Sequence, residues 1–348
     1  MEDQTKSIAI TEKFIPDVLK DIEDFREELK GFSAAITGNS EGLRGLLNRE
    51  IVQYTPQGAG GPCSGIDAAN LVISNGMVVT VACLGFEVYC DGKTSSHIYK
   101  RKTSIIADDR MTGVAVAIRT PIEVEIIAES KSPISLADGS WWARLMEVNK
   151  IITESRNSSS KIYQEAAELL AGGLFLKGLL NKNCISISKQ GISASLCKRD
   201  KVKEFLNNAI IPDLALLRSI MRHGEHTKPR QLKDGTDGKF GVEQRGFSSS
   251  DREQIRDMFS KSAGLWVVYY KPHPWSNPIR MEMHKSTWDS RREEILDTVY
   301  EQTKLPGYMQ PWVIKIADMS AKQVSGTETL YGEKNSRDFP ELFFHTRS

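Results

Sequence analysis

The chain has 348 residues, enough for one large domain or two modest ones. Its 40% hydrophobic and 26% charged residues are those of an ordinary folded protein and exclude wholesale disorder. Lys and Arg number 46 against 45 Asp and Glu, so total charge does not announce a nucleic-acid binder, although a basic groove beside an acidic site can hide under such a balance.

The five cysteines, at 63, 83, 90, 184 and 197, include no CxxC pair and are odd in number. They read as reduced thiols of a cytoplasmic protein rather than a disulfide framework or a zinc site. The opening MEDQTKSIAI lacks the charged-then-apolar form of a leader, and no stretch approaches the roughly 18 apolar residues of a membrane span. Neither a signal peptide nor a membrane association is expected.

Residues 12 to 31 carry Phe14, Ile15, Val18, Leu19, Ile22, Phe25 and Leu29 at three- and four-residue steps, the pattern of an amphipathic helix. Residues 1–55 are therefore expected to be an N-terminal helical segment, and 56–348 the main domain. After the loop 56–64 the pattern turns to strands over 65–73 and 77–89, joined by Ser74-Asn75-Gly76, with a third over 97–106. Val114, Val116 and Ile118 alternate like a strand. Residues 122–129 read as a helix, opened by a cap, a first-turn proline and a capping-box glutamate in Thr120-Pro121-Ile122-Glu123. A short strand over 134–137 ends at Asp138-Gly139. Helical pattern runs on from Trp142 to Leu180, and 184–188 is another strand. Residues 200–260 read as a helical and irregular insertion. Late strands lie at 265–271 and 279–283, a helix at 291–303, and a final helix is expected to start near Ser320.

Three strands joined by tight turns, then helix, strand, helix, strand, is the order of a ribonuclease H-like core: an antiparallel meander extended by two crossovers. The expected class is α/β, a ribonuclease H-like mixed sheet with flanking helices and helical insertions. In such a sheet the first and fourth strands are neighbours. Asp67 stands inside the apolar first strand and Asp138 ends the fourth, so the two acids converge. Buried like charges conflict. A divalent cation such as Mn2+ or Mg2+, which prefers hard carboxylate oxygens, removes the conflict and activates water for phosphodiester hydrolysis.

Short motifs in order along the chain bear on this reading. Ile66-Asp67-Ala68-Ala69 resembles the first motif of the NurA nuclease family, and Leu136-Ala137-Asp138-Gly139-Ser140 its second. Ile185-Ser186-Ile187-Ser188-Lys189, with Ser193 and Ser195, is similar to the family's strand leading to a lysine-serine segment. Pro278-Ile279-Arg280-Met281-Glu282 resembles its late strand. Gly307-Tyr308-Met309-Gln310-Pro311, followed by Ala317-Asp318, resembles its C-terminal glycine-tyrosine-proline motif. Two departures stand out: Ala68 replaces a usual glycine, and Asp318 stands, one residue displaced, where the family has histidine.

The resemblance implies a metal-dependent DNA nuclease in which Asp67, Asp138, Glu123 and Asp318 hold one or two Mn2+ or Mg2+ ions. Glu125 is the second choice for the helical acid. Tyr308 would hydrogen-bond the scissile phosphate or its water, and Lys189 and Arg280 would neutralise phosphate charge. It further implies DNA as substrate and a homodimer docked on a HerA-like hexameric ATPase, in end processing or anti-phage defence. Two alternatives remain: a NurA-like docking subunit with a weakened nuclease, and a ribonuclease H-like enzyme acting on RNA or hybrids. Asp318 has a second reading, as the cap of the helix near Ser320. His223-Gly224-Glu225-His226 reads as a surface loop rather than a zinc site, and Trp141, Trp142, Trp266, Trp275 and Trp312 as packing rather than base-stacking residues.

Overall fold

A computed structural model describes residues 40–58, 60–74, 79–90, 95–106, 111–157, 159–188, 196, 199–206, 211–232, 246–306 and 310–322, with isolated positions 20, 23 and 38. The expected helix over 12–31 lies almost wholly outside the described residues.

The sheet is built around a long antiparallel meander, β2 (Cys63–Ser74), β3 (Val79–Cys90) and β4 (Ser95–Ile106). Two short strands, β5 (Ser135–Asp138) and β6 (Cys184–Ser188), extend it in parallel from the β2 side. β10 (Ile279–His284) follows as the antiparallel neighbour of β6, and β9 (Leu265–Lys271) pairs antiparallel with β10. Beyond them lie β1 (Ile51–Gln53) and β7 (Glu225–Thr227), giving the order β1-β7-β9-β10-β6-β5-β2-β3-β4, with β8 (Arg230–Gln231) paired to β9. The expected neighbourhood of the first and fourth core strands is thus present as β2 against β5. Three strands were not anticipated: β1 within the N-terminal segment, and β7 and β8 within the stretch read as helical insertion. At two or three residues they are too short to leave a periodic signal.

Helices cover both faces. On one side α2 (Met111–Glu129), α3 (Trp141–Asn157), α4 (Lys161–Leu169) and α5 (Phe175–Leu179) pack on Ile66, Ala68, Val81 and Cys83. Ahead of them in the chain, α1 (Ser40–Leu47) joins the same core through Leu43 and Leu47. α6 (Asp200–Phe205), α7 (Asp213–Ile220) and α8 (Ser249–Ser260) continue that layer under β9. On the other face α9 (Lys285–Gln302) and α10 (residues 312–322) bury Ile295, Leu296, Val299, Val313 and Ile314 against β5, β6, β9 and β10. β6 is buried at every position, as expected of a strand covered on both sides.

Two sequence expectations are corrected here. The strand read at 114–118 is the first half of α2, which runs unbroken through Pro121. Val114, Ala115, Ala117, Ile118, Ile122, Val124, Ile126 and Ile127 are all buried, so this helix is apolar nearly all round and shows no one-sided stripe. Thr120 therefore caps nothing; its hydroxyl donates to Glu147 Oε2 at 3.0 Å. Likewise α10 begins near residue 312 rather than 320, and the apolar segment 312–316 packs on the sheet as helix.

Close approaches of these helices depend on missing side chains. A Cβ on Gly65 of β2 would lie 2.3 Å from the Val313 carbonyl carbon and oxygen and 2.5 Å from Ile314 N, all backbone of α10. A Cβ on Gly85 would meet Ile126 and Ile122 of α2 at 2.5 and 2.7 Å. Gly65→Ala must shift a helix, and the expected loss is about 1–3 kcal/mol. Gly172→Ala, where nothing lies within 4 Å, should leave stability unchanged or slightly raised. Denaturant unfolding of the two variants checks this, and equal stabilities would contradict the packing.

Candidate metal centre

In the parallel β2–β5 pairing Ser64, Gly65 and Ile66 face Ser135, Leu136 and Ala137. One step further on, the same register sets Asp67 beside Asp138. There β5 ends while β2 continues on against β3, and the parallel edge opens at the carboxyl ends of its strands, the usual location of sites in such sheets. β5 is buried until Asp138, its first residue with solvent contact. The cleft that results is ≈ 390 Å³ and is lined by Asp67, Asp138, Glu123, Arg119, Arg144, Glu147, Ser140, Ser188 and small residues between them.

Local chemistry fixes the turn after Asp138. Gly139 has φ 96°, a conformation that favours glycine, and its N–H donates to Ile187 O at 2.8 Å. Ser140 Oγ donates to Glu282 at 2.8 Å, and Trp141 N–H donates to Glu282 Oε2 at 2.8 Å. A fully buried carboxylate from β10 thus sits at the positive N-terminal end of α3. Arg280 pairs with Glu282 at 2.9 Å and is itself 2% exposed. Arg280, expected to neutralise phosphate charge, is thus buried and paired with the carboxylate that anchors the turn carrying Asp138.

Glu123 sits in the middle of α2, not in a capping box, and reaches the cleft, which Glu125 does not line. Its Oε1 accepts from Arg144 Nε at 2.9 Å and Nη2 at 2.5 Å. Asp318 lies well inside α10, which removes its reading as a cap. It pairs with Lys322 at 2.6 Å and Lys315 at 3.5 Å. Burial pushes its carboxyl up, but the hydrogen bond and charge of Lys322, with Lys315, leave it below the ordinary carboxylate range.

Asp67 has no such ion pair among the described residues. Burial, then the charges of Glu123, Asp138 and Asp318, push its carboxyl up to about 8, against one hydrogen bond from Ala68 N–H at 2.9 Å. All four acids therefore act on one place, and the donors are hard oxygens of the kind Mn2+ and Mg2+ prefer. Among the described residues no three acid, His or Cys side chains yet meet closely enough to hold one ion. Glu123 is held by Arg144 through Oε1, and Asp318 pairs with Lys322. The donor set fits a divalent ion in kind.

The remaining sequence-predicted residues fall elsewhere. Lys189 and Tyr308 lie outside the described residues. His226 belongs to β7, is buried, and packs edge-on to Trp288 at 5.4 Å, so the His223-Gly224-Glu225-His226 segment is not a surface loop throughout. Trp141 is core, whereas Trp275 is half exposed and stacked on His273. A larger hollow, ≈ 610 Å³, follows Trp288–Glu294, but its charges pair among themselves, Arg291 with Glu294 and Arg292 with Glu293. Arg119, Arg144, Glu147 and Lys322 were missed, since an isolated charge inside a helix carries no signal of the site it faces.

An acid-lined crevice where parallel strands end makes this an α/β protein with a candidate divalent-cation centre. The chain belongs to the NurA family: the NurA domain profile matches residues 125–323, more than half its length, taking in Asp138 and Asp318 and starting just after Glu123. No curated sequence matches the chain. Solved NurA structures share its fold. The NurA nuclease from Sulfolobus solfataricus aligns with a TM-score of 0.59 at 16% identity, over 93% of this chain and 97% of that one. A NurA with manganese aligns at 0.56 and 12% identity, over 91% and 98%.

The Asp67 shift gives a pH dependence of defined sign. Its folded value lies above the unfolded one, so its contribution is full below about pH 4 and is lost as the pH rises toward 8. In metal-free buffer the melting temperature of Asp67→Asn should rise relative to wild type across that window and level off above it. Parallel melting profiles from pH 5 to 9 would contradict the assignment.

Proposed function

We propose that the chain is a metal-dependent DNA nuclease on a ribonuclease H-like core, with Asp67, Asp138, Glu123 and Asp318 holding one or two Mn2+ or Mg2+ ions. The observation that carries the reading is Asp67, a half-buried carboxyl crowded by three other acids and in no ion pair among the described residues. Support for the core comes from the strand order β4-β3-β2-β5-β6, a meander extended by two parallel strands. Family membership and the manganese bound by a NurA of the same fold support the choice of metal.

A bound divalent ion supplies Lewis acidity, activating water and offsetting charge on the phosphate. The chain's own residues do the rest. Asp67 and Asp138 would hold the ion at the strand ends, where the sheet fixes their spacing. Arg119, held by Glu147 at 2.6 Å, stands on the cleft flank, where its charge favours a phosphodiester. Tyr308 and Lys189 are proposed, on the resemblance alone, to hydrogen-bond the phosphate and to neutralise it. Contacts of this kind read no bases and suit an end-processing enzyme. On the same ground the protein is proposed to act as a homodimer with a HerA-like hexameric ATPase that delivers duplex DNA. No helix among the described residues is long and apolar enough to cross a membrane.

Asp67→Asn and Asp138→Asn should each reduce Mn2+-dependent cleavage of a labelled duplex by more than the roughly ten- to hundredfold typical of residues that only support a metal site. Their metal-free melting temperatures should hold or rise. Cleavage panels of DNA, RNA and hybrid, with and without a HerA-like ATPase, define the substrate. Full activity in either variant would remove the site, and an inactive wild type that still binds the ATPase would make the chain a docking subunit.

A further inference from the structure

Arg144 occupies the first turn of α3, three residues after Trp141 begins it, and is almost wholly buried. Its guanidinium touches three elements at once. Nε and Nη2 both donate to Glu123 Oε1 of α2, Nη1 donates to Ser186 Oγ of β6 at 2.5 Å, and Nη2 also donates to the main-chain oxygen of Asp138 at the end of β5. The Trp141 ring lies 5.2 Å from Cζ and closes the remaining side. Four of the five N–H donors are thus spoken for in a planar fork that cannot rotate without breaking several bonds.

The asymmetry on Glu123 is the informative detail. Both Arg144 bonds fall on Oε1, and Oε2 has no hydrogen-bond partner among the described residues. Glu123 is nonetheless 7% exposed, and of the neighbouring charges it acts most strongly on Asp67. A carboxylate used only for an ion pair commonly meets arginine side-on with both oxygens. Here one oxygen is pinned and the other left toward the cleft.

We propose that Arg144 is the positioning residue of the metal centre. It fixes Glu123 by Oε1 so that Oε2 is presented to the ion, and by clasping the Asp138 carbonyl it sets the spacing between the acids of α2 and β5. The inference rests on the reading that these acids hold a metal. Arginine is required for its fork rather than its charge, because the lysine ammonium is a point donor on a flexible stem.

Mn2+ titrations followed by the electron paramagnetic resonance of the free ion test this on wild type, Arg144→Lys, Ser186→Ala and Asp67→Asn, alongside melts of the metal-free proteins. Arg144→Lys keeps the charge and should weaken Mn2+ binding roughly 10- to 100-fold. The Mn2+ concentration for half-maximal cleavage should rise by the same factor, with turnover at saturating metal retained. Ser186→Ala removes one anchor and should weaken binding in the same direction by less; it carries the test if Arg144→Lys does not fold. Mn2+ affinity equal to or tighter than wild type in the folded variants, even with a lowered melting temperature, would overturn the proposal. Wild-type affinity in Asp67→Asn would instead overturn the metal reading itself, so the two failures are distinct.

Discussion

Parallel pairing of β2 with β5 places two carboxylates side by side at the point where one strand stops and the other continues. The chain's own chemistry relieves Asp67 only in part: burial and three neighbouring acids raise its carboxyl, against one main-chain N–H and the charge of Lys322. A folded domain tolerates such a group when a ligand that binds only the folded state restores the balance. The protein thereby trades some metal-free stability for a prepared anionic crevice. That crowding of acids is the constraint from which the proposed chemistry follows.

The surrounding fold holds the conflict in place. β5 and β6 are buried on both faces, so the turn after Asp138 cannot drift into solvent. Glu282 anchors that turn from β10 through Ser140 and the N-terminus of α3, and Arg280 offsets the buried charge of Glu282. Gly85, opposite Ala68, lets α2 settle close on the sheet and brings Glu123 to the cleft from one face. Gly65 does the same for α10 and Asp318 from the other. Each acid thus arrives on a different element, and the cations beside them, Arg144 and Lys322, keep the set folded without ions.

Asp67 and Asp138 were legible because a carboxylate interrupting an apolar strand is a local anomaly, and strand order predicted that they would be neighbours. The helix α2 was half misread: a helix buried on nearly all sides loses its 3.6-residue stripe, and its β-branched run over 114–118 imitates a strand. The same error turned Glu123 into a capping residue. Asp318 was found by resemblance, but its setting was not, since α10 begins some eight residues earlier than its polar content suggests. Arg280 was expected to neutralise phosphate charge, and its burial beside Glu282 was not legible because it depends on a sheet assembled from distant segments. Arg144 left no trace in the sequence for a similar reason: its side-chain partners lie 21 and 42 positions away.

The central claim is that Asp67 and Asp138 share a divalent ion. Crystals grown with Mn2+ and measured at the manganese absorption edge test it most directly. The account predicts an anomalous peak in contact with a carboxylate oxygen of each aspartate, with Glu123 in reach through Oε2. A fully occupied manganese site elsewhere on the molecule, with the Asp67–Asp138 crevice holding none, would contradict it.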